Sequence, residues 1–260
     1  MLAKLMKYEL KATGRTFLPL LGAMIAIALI NRLLQLFNDA ASFLLSIPRA
    51  ISILVSWALL VAILVVALVM TIQRFNKNLL QNEGYLSFTL PVKIRDLILS
   101  KLFVSFIWYV ACMIVLTISM ILAFGTNISF SDIARALSDF SFGFSSSGQN
   151  LLVALEITIA PILGIFCSIL LIYTCLSLGM MINNHRGLLA FGMFLAITTV
   201  MQLLATFAIV PLSLWIDTAG WTPFAASQFV LLSAIGTSII LCLGFFAAIH
   251  YMLRRRLNLL

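Results

Sequence analysis

Few residues of this chain could carry out chemistry, and none forms a pattern typical of an enzyme or a metal site. The sequence contains no GxxxxGK[ST] phosphate loop, no HExxH and no GxSxG. Its four cysteines lie inside apolar runs without CxxC spacing, which indicates neither a disulfide framework nor a zinc site. We therefore predict no catalytic residue, no metal and no cofactor held by this chain.

The most polar stretch of the chain, residues 73–101, lies between two long apolar runs. Its first part carries four cations, Arg74, Lys77, Lys93 and Arg95. A connection with this charge must lie in water, and its excess of Lys and Arg predicts the cytoplasmic side. Tyr85, Leu86, Phe88 and Leu90 are nevertheless too apolar for a plain solvated tether. Because such side chains need a surface to bury against, we predict that residues 73–101 form a docking element.

Glu156 is a single carboxylate inside a long apolar run. An ionised side chain at the bilayer centre costs ~3 kcal/mol on insertion scales, so such residues usually face a bundle interior or a water-filled path. One interpretation is a residue of a substrate pathway or gate. The other places Glu156 near the outer head groups at the start of its helix, where a carboxylate suits the helix dipole.

The composition assigns the whole chain to the membrane. Hydrophobic residues make up 63% of its 260 residues and charged residues only 9%, with a mean hydropathy of +1.17. A soluble domain of this length cannot hide so much apolar surface. The cations that give the net charge of +8 lie in the polar stretches outside the apolar runs, where a membrane topology requires them. No nucleic-acid partner is therefore predicted.

The first fifteen residues have the pattern of an amphipathic helix. Lys4, Lys7, Lys11 and Arg15 recur at spacings of three and four and share one helical face. We predict an interfacial helix over residues 1–15 whose basic face contacts anionic lipid head groups. The alternative is a basic flank that only orients the first span.

Six apolar runs predict an all-α polytopic fold with six transmembrane helices in a single domain, residues 1–260. The runs cover about 16–31, 50–72, 102–124, 151–182, 188–214 and 228–253. Pro161 is expected to kink or divide the fourth run into a short outer helix, Leu151 to Ile159, and a full span. Residues 125–150 form the longest outer connection, and Asn31 and Arg32 are interpreted as interfacial. Thirteen of the 16 Lys and Arg side chains fall on one side, which predicts that both termini are cytoplasmic.

The docking element resembles the cytoplasmic loop of bacterial type-2 ABC transporter permeases. The resemblance lies in Phe75-Asn-Lys-Asn-Leu-Leu and, most specifically, in the decapeptide Glu83-Gly-Tyr-Leu-Ser-Phe-Thr-Leu-Pro-Val92. The opening Lys7-Tyr-Glu-Leu-Lys11 and the six-span layout are similar to the same family. In that family, this loop carries a coupling helix that inserts into a groove on a separate ATPase subunit. The resemblance implies contact residues Glu83, Gly84, Tyr85, Leu86, Phe88 and Thr89.

The resemblance also implies a transport function without covalent chemistry in this chain. Two ATPase subunits would hold the ATP and Mg, and a second permease, identical or homologous, would complete the complex in the bacterial cell membrane. Because residues 125–150 are too short for the large outer domain of some relatives, export is favoured. Two other classes stay open on the residues alone: an autonomous secondary transporter or channel, and a membrane enzyme acting on lipids. Neither the clustered intramembrane charges of the first nor the clustered His, Asp or Glu of the second are found.

Overall fold

The computed structural model describes residues 2–36, 46–76, 94–124, 135, 148–180, 186–218 and 220–255. They form six long helices and no strand: α1 (Leu2–Leu36), α2 (Ser46–Phe75), α3 (Ile94–Phe124), α4 (Gly148–Gly179), α5 (Arg186–Thr218) and α6 (Pro223–Arg255). Each helix is long and apolar enough to cross a membrane, whose hydrocarbon core takes about 20 residues of α-helix. The predicted all-α polytopic membrane fold with six spans is confirmed.

α1 is one continuous helix through its basic segment and its apolar segment. No break separates residues 2–15 from the span that we predicted to begin near Thr16, and the spanning stretch covers Ala3–Leu34. The basic residues therefore belong to the same helix as the span rather than to a separate one. One exposed face carries first four cations and then four apolar residues: Lys4, Lys7, Lys11, Arg15, Leu18, Ile25, Leu29 and Leu33. Such a change marks where an exposed helix face passes from head groups into hydrocarbon.

The predicted division of the fourth apolar run is wrong. α4 continues without interruption from Gly148 to Gly179 and contains Pro161 in its interior. Proline removes one backbone hydrogen bond, that to the carbonyl of Ile157, and its exposed ring faces away from the core. Membrane helices tolerate this loss because the neighbouring turns remain hydrogen-bonded where water cannot compete.

The described residues fall into two compact units. The first contains α1, α2 as far as Arg74, and α3 from Asp96 onward. Each of its helices contributes one seam of residues spaced by three or four positions, the helical repeat that places side chains on one face. The apolar core where these seams meet consists of Phe17, Leu21, Met24, Ile63, Ala67, Val104, Trp108, Cys112 and Leu116.

In the second unit, α4 packs against both α5 and α6. The Cys242 thiol of α6 donates a hydrogen bond to the Leu163 carbonyl of α4 at 3.8 Å. Phe75, at the end of α2, belongs to this unit and stacks on Tyr173 of α4 with 4.1 Å between ring centroids. Both rings are fully buried, so this stack belongs to the core of the unit.

The turn between α5 and α6 follows from its residue types. Gly220 has a φ of 63°, a left-handed conformation that glycine adopts without steric cost. The Thr222 side chain then accepts a hydrogen bond from the Ala225 N–H at 3.3 Å and caps α6, whose first residue is Pro223. Trp215 and Trp221 meet edge to face across this turn, with centroids 5.1 Å apart.

Candidate functional site

The predicted docking residues lie outside the described part of the chain. Glu83, Gly84, Tyr85, Leu86, Phe88 and Thr89 all fall within residues 77–93. The helices on either side of that segment are described: α2 ends at Phe75 and α3 begins at Ile94. The site is therefore defined by what holds these two helix ends.

Glu9 of α1 contacts both helices that flank residues 77–93, which we call the docking segment. Its Oε1 accepts a hydrogen bond from Lys101 Nζ of α3 at 2.7 Å. Its Oε2 lies 3.8 Å from an Nη of Arg74, the penultimate residue of α2. One carboxylate thus joins the N-terminal helix to the chain just before and just after residues 77–93.

The two ion pairs differ in strength because they differ in burial. The Lys101 side chain is only 6% exposed, so its ammonium group has lost most of its water and its 2.7 Å contact with Glu9 is shielded from solvent. The Arg74 side chain is 32% exposed, and its longer contact competes with solvent. Glu9 with Lys101 is consequently the firm pair, and Glu9 with Arg74 the weak one.

One helical turn further along α1, a hydrogen-bond chain connects α3 to the backbone of α1. Trp108 Nε1 donates to the Thr13 hydroxyl at 2.7 Å, and this hydroxyl donates to the Glu9 carbonyl at 2.8 Å. The Trp108 indole also stacks on Phe17, with centroids 4.6 Å apart and planes 11° from parallel. Gly14 lies under the same indole, since a Cβ there would meet the ring at 3.5 Å. The aromatic contacts hold α1 close to α3 and keep the Glu9 carboxylate beside Lys101.

A cleft of about 20 Å³ opens between the three helices at this level. Its lining includes the three charged residues and several hydroxyl groups: Glu9, Thr13, Thr71, Arg74, Lys101, Ser105 and Tyr109. A cavity of this size holds about one water molecule. The cluster is thus a place where three helices are joined, and it is too small for an organic substrate.

A second polar cluster joins α1 to α2 near the other end of α1. Asn31 of α1 is 2% exposed, and its Nδ2 donates to the Ser56 hydroxyl of α2 at 2.6 Å. The Ser52 hydroxyl donates to Asn31 Oδ1, so the amide uses both its donor and its acceptor on α2. Asn31, which we interpreted as interfacial, thus faces its neighbouring helix, and its depth in the membrane stays a prediction.

We expect Asn31→Ala to lower the free energy of unfolding by about 1–2 kcal/mol, the range found for interhelical amide hydrogen bonds in membrane peptides. The substitution leaves two serine hydroxyls without their partner between α1 and α2. Thermal unfolding in detergent micelles measures the change. Thr117→Ala is the matched control, since that exposed hydroxyl bonds only to its own helix at Met113. Equal melting temperatures for the two variants would contradict the assigned role of Asn31.

Glu156 is 7% exposed and is the ninth residue of α4, which begins at Gly148. The dipole effect is confined to the first turn of a helix, so it does not account for a carboxylate at this position. Glu156 Oε2 is buried and has no hydrogen-bond partner among the described residues. The same is true of Gln228 Nε2 on α6, the helix that packs against α4. Buried polar groups without a partner lower stability. Proteins keep such groups mainly where a function requires them.

We expect Glu156→Leu to raise the free energy of unfolding by about 1–3 kcal/mol, because it removes a buried unpaired polar group. The melting temperature in detergent measures the gain, with Ile157→Leu on the exposed side of the same turn as the neutral control. A lower melting temperature for Glu156→Leu would instead indicate a stabilising partner of the carboxylate in the membrane. In that case Glu156→Gln, which keeps hydrogen bonding but not charge, separates an ionic partner from a neutral one.

The predicted membrane-surface residues Lys4, Lys7, Lys11 and Arg15 are all exposed. From the sequence alone, Lys101 and Arg74 were predicted only as loop cations, and Glu9 was given no role. A signal for Glu9 was present, since it is the only acidic residue before Asp39 and lies on the face of α1 opposite the cations. No group of His, Cys, Asp or Glu that could hold a metal ion is found among the described residues.

Comparison with protein-family models, with curated proteins and with solved structures finds no match to this chain.

Proposed function

We propose that this chain is the permease subunit of an ABC exporter, with residues 77–93 as the docking site of a separate ATPase subunit. The observation that carries the proposal is the position of the family-like decapeptide 83–92. In sequence it lies between two membrane-spanning helices, and both of these are attached to α1 through Glu9. A docking loop must be anchored at both ends if movement of a partner is to reach the membrane helices.

Under this proposal the chain performs no covalent chemistry. Two ATPase subunits bind ATP and Mg, and this chain pairs with a second permease to enclose the substrate path. The contact residues are Glu83, Gly84, Tyr85, Leu86, Phe88 and Thr89. Both termini lie in the cytoplasm of a bacterial cell, where the exposed cations of α1 meet the anionic head groups of the inner leaflet.

Co-purification tests the proposal. The tagged chain is isolated from its native membranes in mild detergent, and the eluate is assayed for ATP hydrolysis. We expect a soluble ATPase to co-elute in stoichiometric amount, although this chain has no nucleotide-binding motif of its own. If a preparation cross-linked before solubilisation, through a cysteine in place of Tyr85, contains no ATPase, the proposal fails.

Tyr85→Ala combined with Phe88→Ala is expected to weaken ATPase binding by at least ~30-fold, the effect of losing one aromatic hot spot of 2 kcal/mol or more. Binding is measured by titrating the purified ATPase onto the permease in nanodiscs. The matched control is Tyr8→Ala, which removes an exposed tyrosine of α1 outside the docking segment. Unchanged affinity in the double variant would exclude these residues from the interface.

The alternative, an autonomous secondary transporter, is supported by Glu156, whose buried Oε2 has no hydrogen-bond partner among the described residues. Ion-coupled carriers place such groups on their proton or ion path. Reconstitution of this chain alone in liposomes decides between the two. Transport driven by an ion gradient, and lost in Glu156→Gln, would favour the secondary transporter over the permease.

A further inference from the structure

We infer that the exposed face of α5 binds a second copy of this chain, through a polar stripe formed by Thr199, Gln202 and Thr206. The proposed function requires a second permease and leaves its identity open. This inference deepens it by naming that partner, and it rests on the proposed function only for the role of the pair. The observations concern α5 alone: the exposure of the polar stripe, its depth in the span, and the hydrogen bonds that Gln202 lacks.

The polar stripe lies on the side of α5 that is turned away from α4. Its three residues are spaced by three and four positions, and all of them are exposed. The buried and half-buried residues of α5 include another series with the same spacing: Ala190, Phe194, Ile197 and Met201. Since α5 packs against α4, this second series marks the side that meets its neighbour. At about 100° per residue the two series lie on opposite sides of the helix, so the polar stripe is open to the membrane.

Gln202 places an amide near the middle of the membrane. It lies ten residues before Leu212, where the spanning stretch of α5 ends, and this is about 15 Å at the rise of an α-helix. That distance is half the thickness of the hydrocarbon core, which is about 30 Å. A glutamine side chain is too short to reach the head groups from this depth. The amide therefore stays in hydrocarbon unless another molecule covers it.

The side-chain amide of Gln202 has no hydrogen-bond partner among the described residues, although the Gln202 carbonyl accepts a bond from the Thr206 hydroxyl at 2.9 Å. The Thr199 hydroxyl likewise donates to its own helix, at the Leu195 carbonyl, at 2.7 Å. Both hydroxyls have thus used their proton and keep acceptor capacity on the exposed side. The threonines are satisfied without a partner, whereas an unpaired amide in hydrocarbon is costly.

A second copy of the chain supplies the matching group. Two copies cross the membrane in the same orientation, so a two-fold axis along the membrane normal brings each Gln202 opposite its counterpart at the same depth. A primary amide is self-complementary, because each Nε2 can donate to the partner's Oε1 and still has a second N–H for a threonine hydroxyl of the polar stripe. On either side of the amide the same spacing continues with exposed small or apolar residues, which suit close helix packing: Gly192, Leu195 and Ile209.

Cysteine cross-linking in native membranes tests the pair. The four native cysteines are replaced by alanine, and single cysteines are introduced by Thr199→Cys and by Val200→Cys. These neighbouring positions are both exposed and lie at one depth, but only the first belongs to the polar stripe. Because a disulfide needs Cα atoms within about 7 Å, oxidation with iodine joins only cysteines at the contact. We expect a covalent homodimer for Thr199→Cys and a monomer for Val200→Cys. Equal yields from the two positions, or a product of Thr199→Cys with a different protein, overturn the inference.

Gln202→Leu gives an independent readout, measured as energy transfer between labelled chains in liposomes that are diluted with lipid. The homodimer is expected to be weakened by about 5- to 30-fold, the range for polar side chains that bond between membrane helices. Gln202→Asn keeps an amide and should restore most of the affinity, and Val200→Leu, outside the polar stripe, is the matched control. An unchanged affinity of Gln202→Leu, with a lower melting temperature of the monomer in detergent, would show a role within one chain and overturn the inference.

The outcomes separate this pair from the proposed function. A complex that contains an ATPase but gives no homodimer for Thr199→Cys overturns the pair alone. A homodimer whose cross-linked preparation contains no ATPase overturns the proposed function and leaves the pair in place.

Discussion

Glu9→Ala is expected to lower the free energy of unfolding by about 3–5 kcal/mol, the cost of removing one partner of a buried ion pair. The substitution removes the carboxylate that the buried Lys101 ammonium group contacts at 2.7 Å. It also frees Arg74, but that contribution is small because the guanidinium is partly solvated. Equilibrium unfolding in detergent micelles, followed by tryptophan fluorescence, measures the loss.

A double substitution distinguishes the buried charge from other causes. Glu9→Leu with Lys101→Met replaces the pair by apolar side chains of similar length and should recover most of the stability lost in Glu9→Ala, since buried ion pairs often exchange for apolar pairs at no net cost. Lys11→Ala, on the exposed face of α1, is the control and should lie within about 0.5 kcal/mol of the parent protein. If Glu9→Ala is as stable as Lys11→Ala, the ion pair does not exist in the folded protein.

Trp108→Ala alone is expected to lower the free energy of unfolding by about 3–5 kcal/mol, as for other large aromatic side chains removed from a core. The buried indole stacks on Phe17, packs over Gly14 and donates a hydrogen bond to Thr13. Its removal leaves a cavity between α1 and α3 that the neighbouring helices can close only in part. Thermal unfolding measured by circular dichroism is a suitable assay, because it does not depend on the tryptophan signal.

Two further variants divide this effect into packing and hydrogen bonding. Trp108→Phe keeps an aromatic ring against Phe17 and loses the N–H donor, so it should retain more than half of the stability that Trp108→Ala loses. Trp57→Ala removes a half-exposed tryptophan of α2 and should cost less than about 1 kcal/mol. If Trp108→Ala and Trp57→Ala melt at the same temperature, the core assigned to α1 and α3 is incorrect.

Thr13 connects Trp108 to the backbone of α1 and not to the Glu9 carboxylate, so Glu9→Ala leaves this hydrogen-bond chain in place. Its hydroxyl accepts from Trp108 and donates to the carbonyl of Glu9. Residues that share a hydrogen-bond chain have non-additive effects. A cycle of Thr13→Val and Trp108→Phe should therefore show a coupling energy, whereas a cycle of Glu9→Ala and Asn31→Ala, at opposite ends of α1, should be additive.

The sequence by itself determined the class of the protein and its six spans. Long apolar runs have no stable place outside a membrane, so their number and rough limits follow from the hydropathy along the sequence. The helix boundaries were less certain. Pro161 predicted a division of α4 that does not occur, because a proline costs one backbone hydrogen bond and the surrounding turns maintain the helix.

Only the tertiary structure decided which polar residues meet. Periodicity shows that Glu9 and the cations of α1 lie on opposite faces, but it does not show which helix lies against Glu9. Lys101 is 92 residues from Glu9 along the chain. The sequence likewise does not reveal that Ser52 and Ser56 are the partners of Asn31. These pairings arise from the packing of α1, α2 and α3, because a polar side chain buried among helices is stable only where the neighbouring helix offers the matching group.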